Sequence, residues 1–180
     1  MGEYIENFKD ALPDPKRVKE IKKDLESKGV KYIYSHWIDF LGSPKTKPMP
    51  ISDFEDLCAG KGPQFAVHSV SFVPELGPAD NDQIPVPDLD SLLICPWDKT
   101  CAWVFSDLWW NGKPYDVCPR QTLKRQIKKN AEADLKFYVG MEPEFFVMKW
   151  EDGKPVKAID RDPIPLRRQA FGYDSEYSIE

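Results

Sequence analysis

Tyr138-Val139-Gly140-Met141-Glu142-Pro143-Glu144-Phe145-Phe146-Val147-Met148 sets two glutamates, separated by one proline, inside a run of apolar and aromatic side chains. Such flanks read as a β-strand. Successive strand side chains alternate faces, so Glu142 and Glu144 are expected on one face and Pro143 on the other. Two residue rises of about 3.3 Å separate the pair by roughly 6–7 Å at the backbone, a spacing at which each carboxylate holds a different hard cation. Proline donates no ladder hydrogen bond, which places an interruption where the carboxylates lie. Standing alone, Glu-x-Glu on a strand describes a solvated face just as well, so the surrounding sequence has to decide.

Downstream, Asp152-Gly153 predicts a hairpin turn between this strand and a partner over residues 155–159. Upstream, Pro119 sits just inside a helix predicted over 120–135, with Leu123, Ile127 and Ala131 four apart on one side. Before it, Asn111-Gly112 is a type I′ turn signal between strands at 102–109 and 113–117, preceded by another at 92–96. Residues 62–90 are rich in loop formers, with prolines at 63, 74, 78, 85 and 87. So long an irregular stretch inside a compact domain points to function. Nearer the start, Asp14 is an N-cap with Pro15 at the first helical position, Val18, Ile21 and Leu25 recur at helical spacing, and Gly29 closes the helix. A β-branched and aromatic strand follows at 30–40, then the turn Leu41-Gly42-Ser43-Pro44, a returning strand at 45–51 and a short helix ending at Gly60. The expected class is α+β: an arm and helix over 1–29, a strand-rich domain over 30–115, and the start of a second domain over 116–180.

With 41% hydrophobic and 13% aromatic residues among 180, the chain has enough apolar mass for a proper core. A net charge of −5, with bases scattered among acids, offers no basic face and argues against a nucleic-acid partner, and the lysines over 124–129 read as a solvated helix face. The apolar run 101–110 is broken by Ser106 and Asp107 and is too short to span a bilayer, while Met1-Gly2-Glu3 opens no signal pattern. A cytoplasmic protein with no membrane partner is expected. Cys58, Cys95, Cys101 and Cys118 form no CxxC pair and read as reduced thiols in or near cores, and His36 and His68 read as structural.

In order, Asp39-Phe40-Leu41-Gly42, a proline-rich loop, Pro96-Trp97, Asn111-Gly112-Lys113-Pro114-Tyr115, Cys118-Pro119-Arg120 and Gly140-Met141-Glu142-Pro143-Glu144-Phe145-Phe146 resemble the N-terminal portion of the glutamine synthetase family. The resemblance implies a β-grasp-like N-terminal domain, then the beginning of a truncated glutamine-synthetase-type catalytic domain, in a ring-shaped homo-oligomer whose sites lie between subunits. It implies that Glu142 and Glu144 each ligate a Mg²⁺ or Mn²⁺ ion beside ATP, the co-substrate, and glutamate. Carboxylate oxygens are what a magnesium–phosphate site uses. The implied reaction forms a γ-glutamyl phosphate, which ammonia or a small alkylamine then displaces. No catalytic or nucleotide-contacting residue is assigned within these 180 positions, and the chain by itself is expected to be inactive.

Ammonia-using members typically carry Phe-Asp-Gly-Ser-Ser where this sequence has Phe65-Ala66-Val67-His68-Ser69. Ala66 thus replaces a carboxylate thought to hold ammonium. The loop in that respect is more similar to the glutamate–methylamine ligase type, since apolar surroundings favour an alkyl group over four N–H donors. Asp82 aligns loosely with another acid of the same loop. Two rivals remain at this point: a non-catalytic binding module built on Trp97, Trp103, Trp109, Trp110 and Tyr115, and an inactive fragment of the ligase. A glycosidase is disfavoured because its two carboxylates must flank the scissile bond.

Overall fold

A computed structural model describes residues 3–70 and 76–158, which divide into two compact units, Met1–Lys136 and Phe137–Glu180. In the first unit a single turn of helix, α1 (Phe8–Ala11), precedes α2 (Pro15–Ser27), whose start is written in the sequence. The Asp14 carboxylate accepts from the backbone N–H of Lys16 at 2.6 Å and of Arg17 at 3.2 Å, and Gly29 follows at φ 82°, a conformation that costs a residue without Cβ nothing. β1 (Tyr32–Ile38) and β2 (Pro44–Pro50) then form an antiparallel hairpin. Its turn is organised by buried Asp39, which accepts from the N–H groups of Leu41 at 3.0 Å and Ser43 at 2.8 Å.

Two short helices follow, α3 (Phe54–Cys58) and α4 (Val67–Val70), and then β3 (Ile84–Pro87), β4 (Leu93–Ile94), the long β5 (Cys101–Trp110) and β6 (Lys113–Pro114). The sheet runs β2-β1-β5-β3, with β4 and β6 also paired to β5. Four strands therefore share β5, and β1 is parallel to it in the register Tyr32↔Cys101 to His36↔Phe105. Parallel neighbours need a long crossover, here supplied by everything between Ile38 and Cys101. Asn111 at φ 51° and Gly112 at φ 73° make the left-handed pair that a type I′ turn requires between β5 and β6.

One face of this sheet carries the core. Ile33, Met49, Ala102 and Val104 pack under Val18 and Leu25 of α2 and Phe54, Leu57 and Cys58 of α3. A second cluster gathers Trp37, Phe65, Val67, Leu108, Tyr115 and Cys118. At Gly60 a Cβ would stand 2.6 Å from the Phe8 ring, so glycine there lets the N-terminal arm lie against the end of α3.

α5 (Pro119–Glu132) departs from the expected apolar stripe. Leu123 and Ile127 are exposed, and the helix meets the sheet through Gln121 and Lys124, both buried. Lys124 is therefore no part of a solvated face: its ammonium pairs with the Asp107 carboxylate. A buried base is tolerable when an acid awaits it, which periodicity of apolar residues cannot reveal.

The described residues of the second unit form an antiparallel hairpin, β7 (Met148–Glu151) and β8 (Lys154–Lys157), turning at Asp152 (φ 49°) and Gly153 (φ 73°). The strand expected over 138–148 is present only at its last residue. Residues 135–147 carry no secondary structure. A strand needs a ladder partner, and among the described residues pairing begins only where β8 faces Met148; Pro143 brings no N–H to a ladder in any case.

Candidate functional site

Glu142 and Glu144 lie in the irregular stretch before β7, and both are exposed. Neither enters a salt bridge among the described residues, and no cluster of three or more His, Cys, Asp or Glu capable of holding a metal occurs there. The donor chemistry nevertheless fits a hard cation: two carboxylates on an exposed stretch of chain. Octahedral Mg²⁺ uses one or two carboxylates and completes its shell with waters and phosphate oxygens. The strand face expected to hold the pair in place is absent from the described residues.

The loop singled out by its alanine is built more firmly. Phe65 and Gln83 exchange backbone hydrogen bonds, Phe65 N–H to Gln83 O at 3.3 Å and Gln83 N–H to Phe65 O at 2.9 Å. The Phe65 ring stacks on Trp37 of β1 with centroids 4.1 Å apart and planes 6° from parallel. Beside this stack opens a shallow groove of about 480 Å³ lined by Trp37, Lys45, Lys47, Phe65, Ala66 and Asp82. Ala66 is half-buried, Asp82 is exposed, and Lys47 Nζ donates to Gln64 O at 2.6 Å across the groove. The structure thus brings Ala66 and Asp82 together, two positions that were singled out separately in the sequence. Trp37, Lys45 and Lys47, which complete the groove, carried no sequence signal beyond strand propensity.

A second polar centre fastens α5 to the sheet. Arg120 Nη2 reaches Asp88 Oδ2 at 2.7 Å and Arg120 Nε reaches Asp107 Oδ1 at 3.0 Å, while the Lys124 ammonium holds the other Asp107 oxygen. Two acids and two bases balance, and every one of these side chains is at most 17% exposed. The guanidinium also lies over the Phe105 ring, 5.7 Å from its centroid. This network borders a cavity of about 280 Å³ between the N-terminal arm and β3.

The aromatic residues of the binding-module reading meet in separate pairs, Trp97 with Trp103 and Trp110 with Tyr115, rather than on one open platform. Trp109 and Tyr115 are buried and only Trp97, 72% exposed, stands clear, its ring edge-on to Trp103 at 5.0 Å. All four cysteines are free and buried. Among the described residues no helix is long and apolar enough to cross a membrane.

Residues 116–176 match the family model described as the glutamine synthetase catalytic domain, and the Glu142-Pro143-Glu144-Phe145 run lies inside that match. Over that stretch the chain is similar to the glutamine synthetase family. A glutamine synthetase of Rhizobium meliloti (strain 1021) is 33% identical over 142 residues, which cover 79% of this chain and 32% of that protein. The glutamate–methylamine ligase of Methyloversatilis universalis is 31% identical over 147 residues, covering 81% of this chain and 33% of its own length. The solved structure of a GmaS/ADP complex superposes with a TM-score of 0.58 at 27% identity, over 63% of this chain and 26% of that one. Apo GmaS gives 0.59 at the same identity and coverage. The chain spans about a third of the length of the curated family members it matches.

Proposed function

We propose that this chain is the N-terminal portion of an ATP-dependent glutamate–amine ligase that forms a γ-glutamyl amide through γ-glutamyl phosphate, with a small alkylamine as the preferred nucleophile. The observation that carries this reading is the paired carboxylate Glu142-Pro143-Glu144 inside a stretch that matches the ligase catalytic domain. Glu142 and Glu144 would each hold one Mg²⁺ or Mn²⁺ ion, which when bound neutralises charge on the ATP phosphates during transfer. In this reading residues 1–29 are an arm and helix, 30–115 a β-grasp-like domain and 116–180 the opening of the catalytic domain; the β2-β1-β5-β3 order, with β1 parallel to β5, supports the β-grasp assignment. The working assembly is a cytoplasmic ring of identical subunits.

Ala66 supports the choice of amine. Ammonium presents four donors and requires acceptors, and an unpaired polar cation is rejected by apolar walls, whereas a methyl group is not. The groove beside Ala66 is lined by the Trp37 and Phe65 rings together with Lys45, Lys47 and Asp82. An aromatic-rich binding module is disfavoured, because its aromatics are divided between cores and surface.

Steady-state ATP turnover by the full-length protein with glutamate and each of ammonia, methylamine and ethylamine tests the reading. Turnover is expected to need glutamate and amine together and to favour the alkylamines, and Ala66→Asp is expected to shift preference toward ammonia by about tenfold or more. ATP turnover that ignores both glutamate and amine refutes the ligase; a clear preference for ammonia in the unsubstituted enzyme refutes only the choice of amine.

A further inference from the structure

Cys95 and Cys101 close a short loop as opposed residues. The antiparallel register of β4 and β5 runs from Leu93↔Trp103 through Ile94↔Ala102 and continues to Cys95, whose N–H donates to Cys101 O at 2.9 Å. Hydrogen-bonded antiparallel partners have Cα atoms about 5.5 Å apart, and disulfides span Cα separations of roughly 4.4–6.8 Å with a mode near that value. Opposed residues also project to the same face of the sheet. The thiols feel one another: burial, then Cys101, then Asp98 raise the Cys95 pKa, and Cys101 is the largest influence raising that of the Tyr34 phenol. Cys101 Sγ donates to Asp98 Oδ2 at 3.3 Å, on the exposed loop between the strands, and Cys101 at 8% exposure is the less buried of the two residues, against 2% for Cys95.

The other cysteines have no such arrangement. Cys58 is packed in the main core, where burial pushes its thiol up to about 12, and Cys118 sits in the second cluster with its thiol also raised by burial. Neither belongs to a strand with a cysteine across the ladder.

We propose that Cys95 and Cys101 are a reversible oxidation site, a dithiol converted to an intramolecular disulfide by hydroperoxides. Cys101 Sγ attacks one peroxide oxygen, breaking the O–O bond; the thiol proton goes to the departing hydroxide, which leaves as water, with Cys101 as a sulfenic acid. Cys95 Sγ then attacks the Cys101 sulfur, the S–O bond breaks, and the Cys95 proton leaves with that hydroxide as a second water. Two thiols are oxidised by two electrons and one hydroperoxide is reduced. The product bridges both ends of loop 96–100 and fixes the hairpin that carries Trp97.

The test treats the full chain with hydrogen peroxide, alkylates remaining thiols in denaturant and maps the peptides. The expected result is a chain lighter by two hydrogen atoms, with Cys95 linked to Cys101, Cys58 and Cys118 alkylated, and dithiothreitol restoring all four thiols. Cys95→Ser is expected to leave a Cys101 sulfenic acid that dimedone traps, and Cys101→Ser to lose no hydrogens. Alkylation of Cys95 and Cys101 as complete as that of Cys58 and Cys118 after peroxide overturns the proposal. So does linkage only between molecules, or an intramolecular disulfide that persists in either serine variant.

Discussion

The indole of Trp37 and the ring of Phe65 lie face to face, 4.1 Å between centroids, and they tie the loop that carries Ala66 to the second strand position before the β1–β2 turn. Both rings are buried in the smaller hydrophobic cluster with Val67, Leu108, Tyr115 and Cys118. Phe65→Ala removes a large buried ring from a close-packed site and should cost about 3–5 kcal/mol, with Phe65→Leu costing less than half of that. Urea unfolding followed by tryptophan fluorescence measures both. Equal, small losses in the two variants would mean that the stack contributes little and the loop is held by its backbone bonds to Gln83 alone.

Arg120 serves two carboxylates at once, and its removal should be felt as a charge defect. Arg120→Ala leaves Asp88 without a base and Asp107 with Lys124 only, at a site where no member is more than 17% exposed. Breaking a buried pair in this way costs about 3–5 kcal/mol, and Arg120→Lys should recover part of it, since one ammonium cannot serve both acids as the guanidinium fork does. The loss should change little between low and high salt, because buried pairs are weakly screened. Arg17→Ala offers the contrast: its pair with Asp90 at 2.5 Å is exposed on both sides, and the loss there should be small and salt-sensitive.

His36 gives the first unit an acid sensitivity of its own. Burial holds its imidazole below the ordinary value, only partly opposed by a backbone hydrogen bond at Lys45, and its ring packs edge-on to Trp103 at 4.9 Å. The unfolded chain therefore binds the proton more readily than the folded one. Stability is full above the ordinary imidazole pKa of about 6.5 and declines as pH falls through it, levelling off below the depressed folded value. Thermal midpoints between about pH 7.5 and about pH 5.5 should fall more for the wild type than for His36→Phe. Parallel profiles for the two proteins would exclude His36 as the source.

Glu142→Ala and Glu144→Ala should leave the metal-free stability within about 0.5 kcal/mol of wild type, as both residues are exposed and outside any strand. In the full-length enzyme each should abolish turnover. Added Mg²⁺ should raise the wild-type midpoint by mass action on the folded state and raise each variant's less. Retained activity in either variant removes that glutamate from the metal site.

Local chemistry was readable wherever it acts over a few residues. The Asp14 cap, Pro15, the Asn111-Gly112 and Asp152-Gly153 turns and the strands at the start of the sheet all form within a residue or two of where the sequence places them. Such signals work because the partners are neighbours in the chain. What failed depends on distant partners. Around Glu142 no ladder forms among the described residues, and the apolar positions of α5 lost to Gln121 and Lys124 because Asp107, presented by β5, offered an ion pair that no periodicity announces. The Ala66 substitution was visible, but not the Trp37 ring that walls its groove, since a strand tryptophan reads equally as core.

The strand that joins everything arrives late. Tyr32 and its neighbours on β1 wait for Cys101 and the residues after it, and β3 and β4 wait for the same strand. During synthesis, which delivers the chain from its N-terminus, the β1–β2 hairpin and α2 must emerge with one sheet edge open and their apolar face uncovered until β5 leaves the ribosome. Contacts of such long sequence separation also slow folding, because the intervening loop must be closed before they form. A nascent chain halted before residue 101 would thus present an unpaired edge to chaperones or to other copies of itself, and this sheet cannot close until a single strand is delivered.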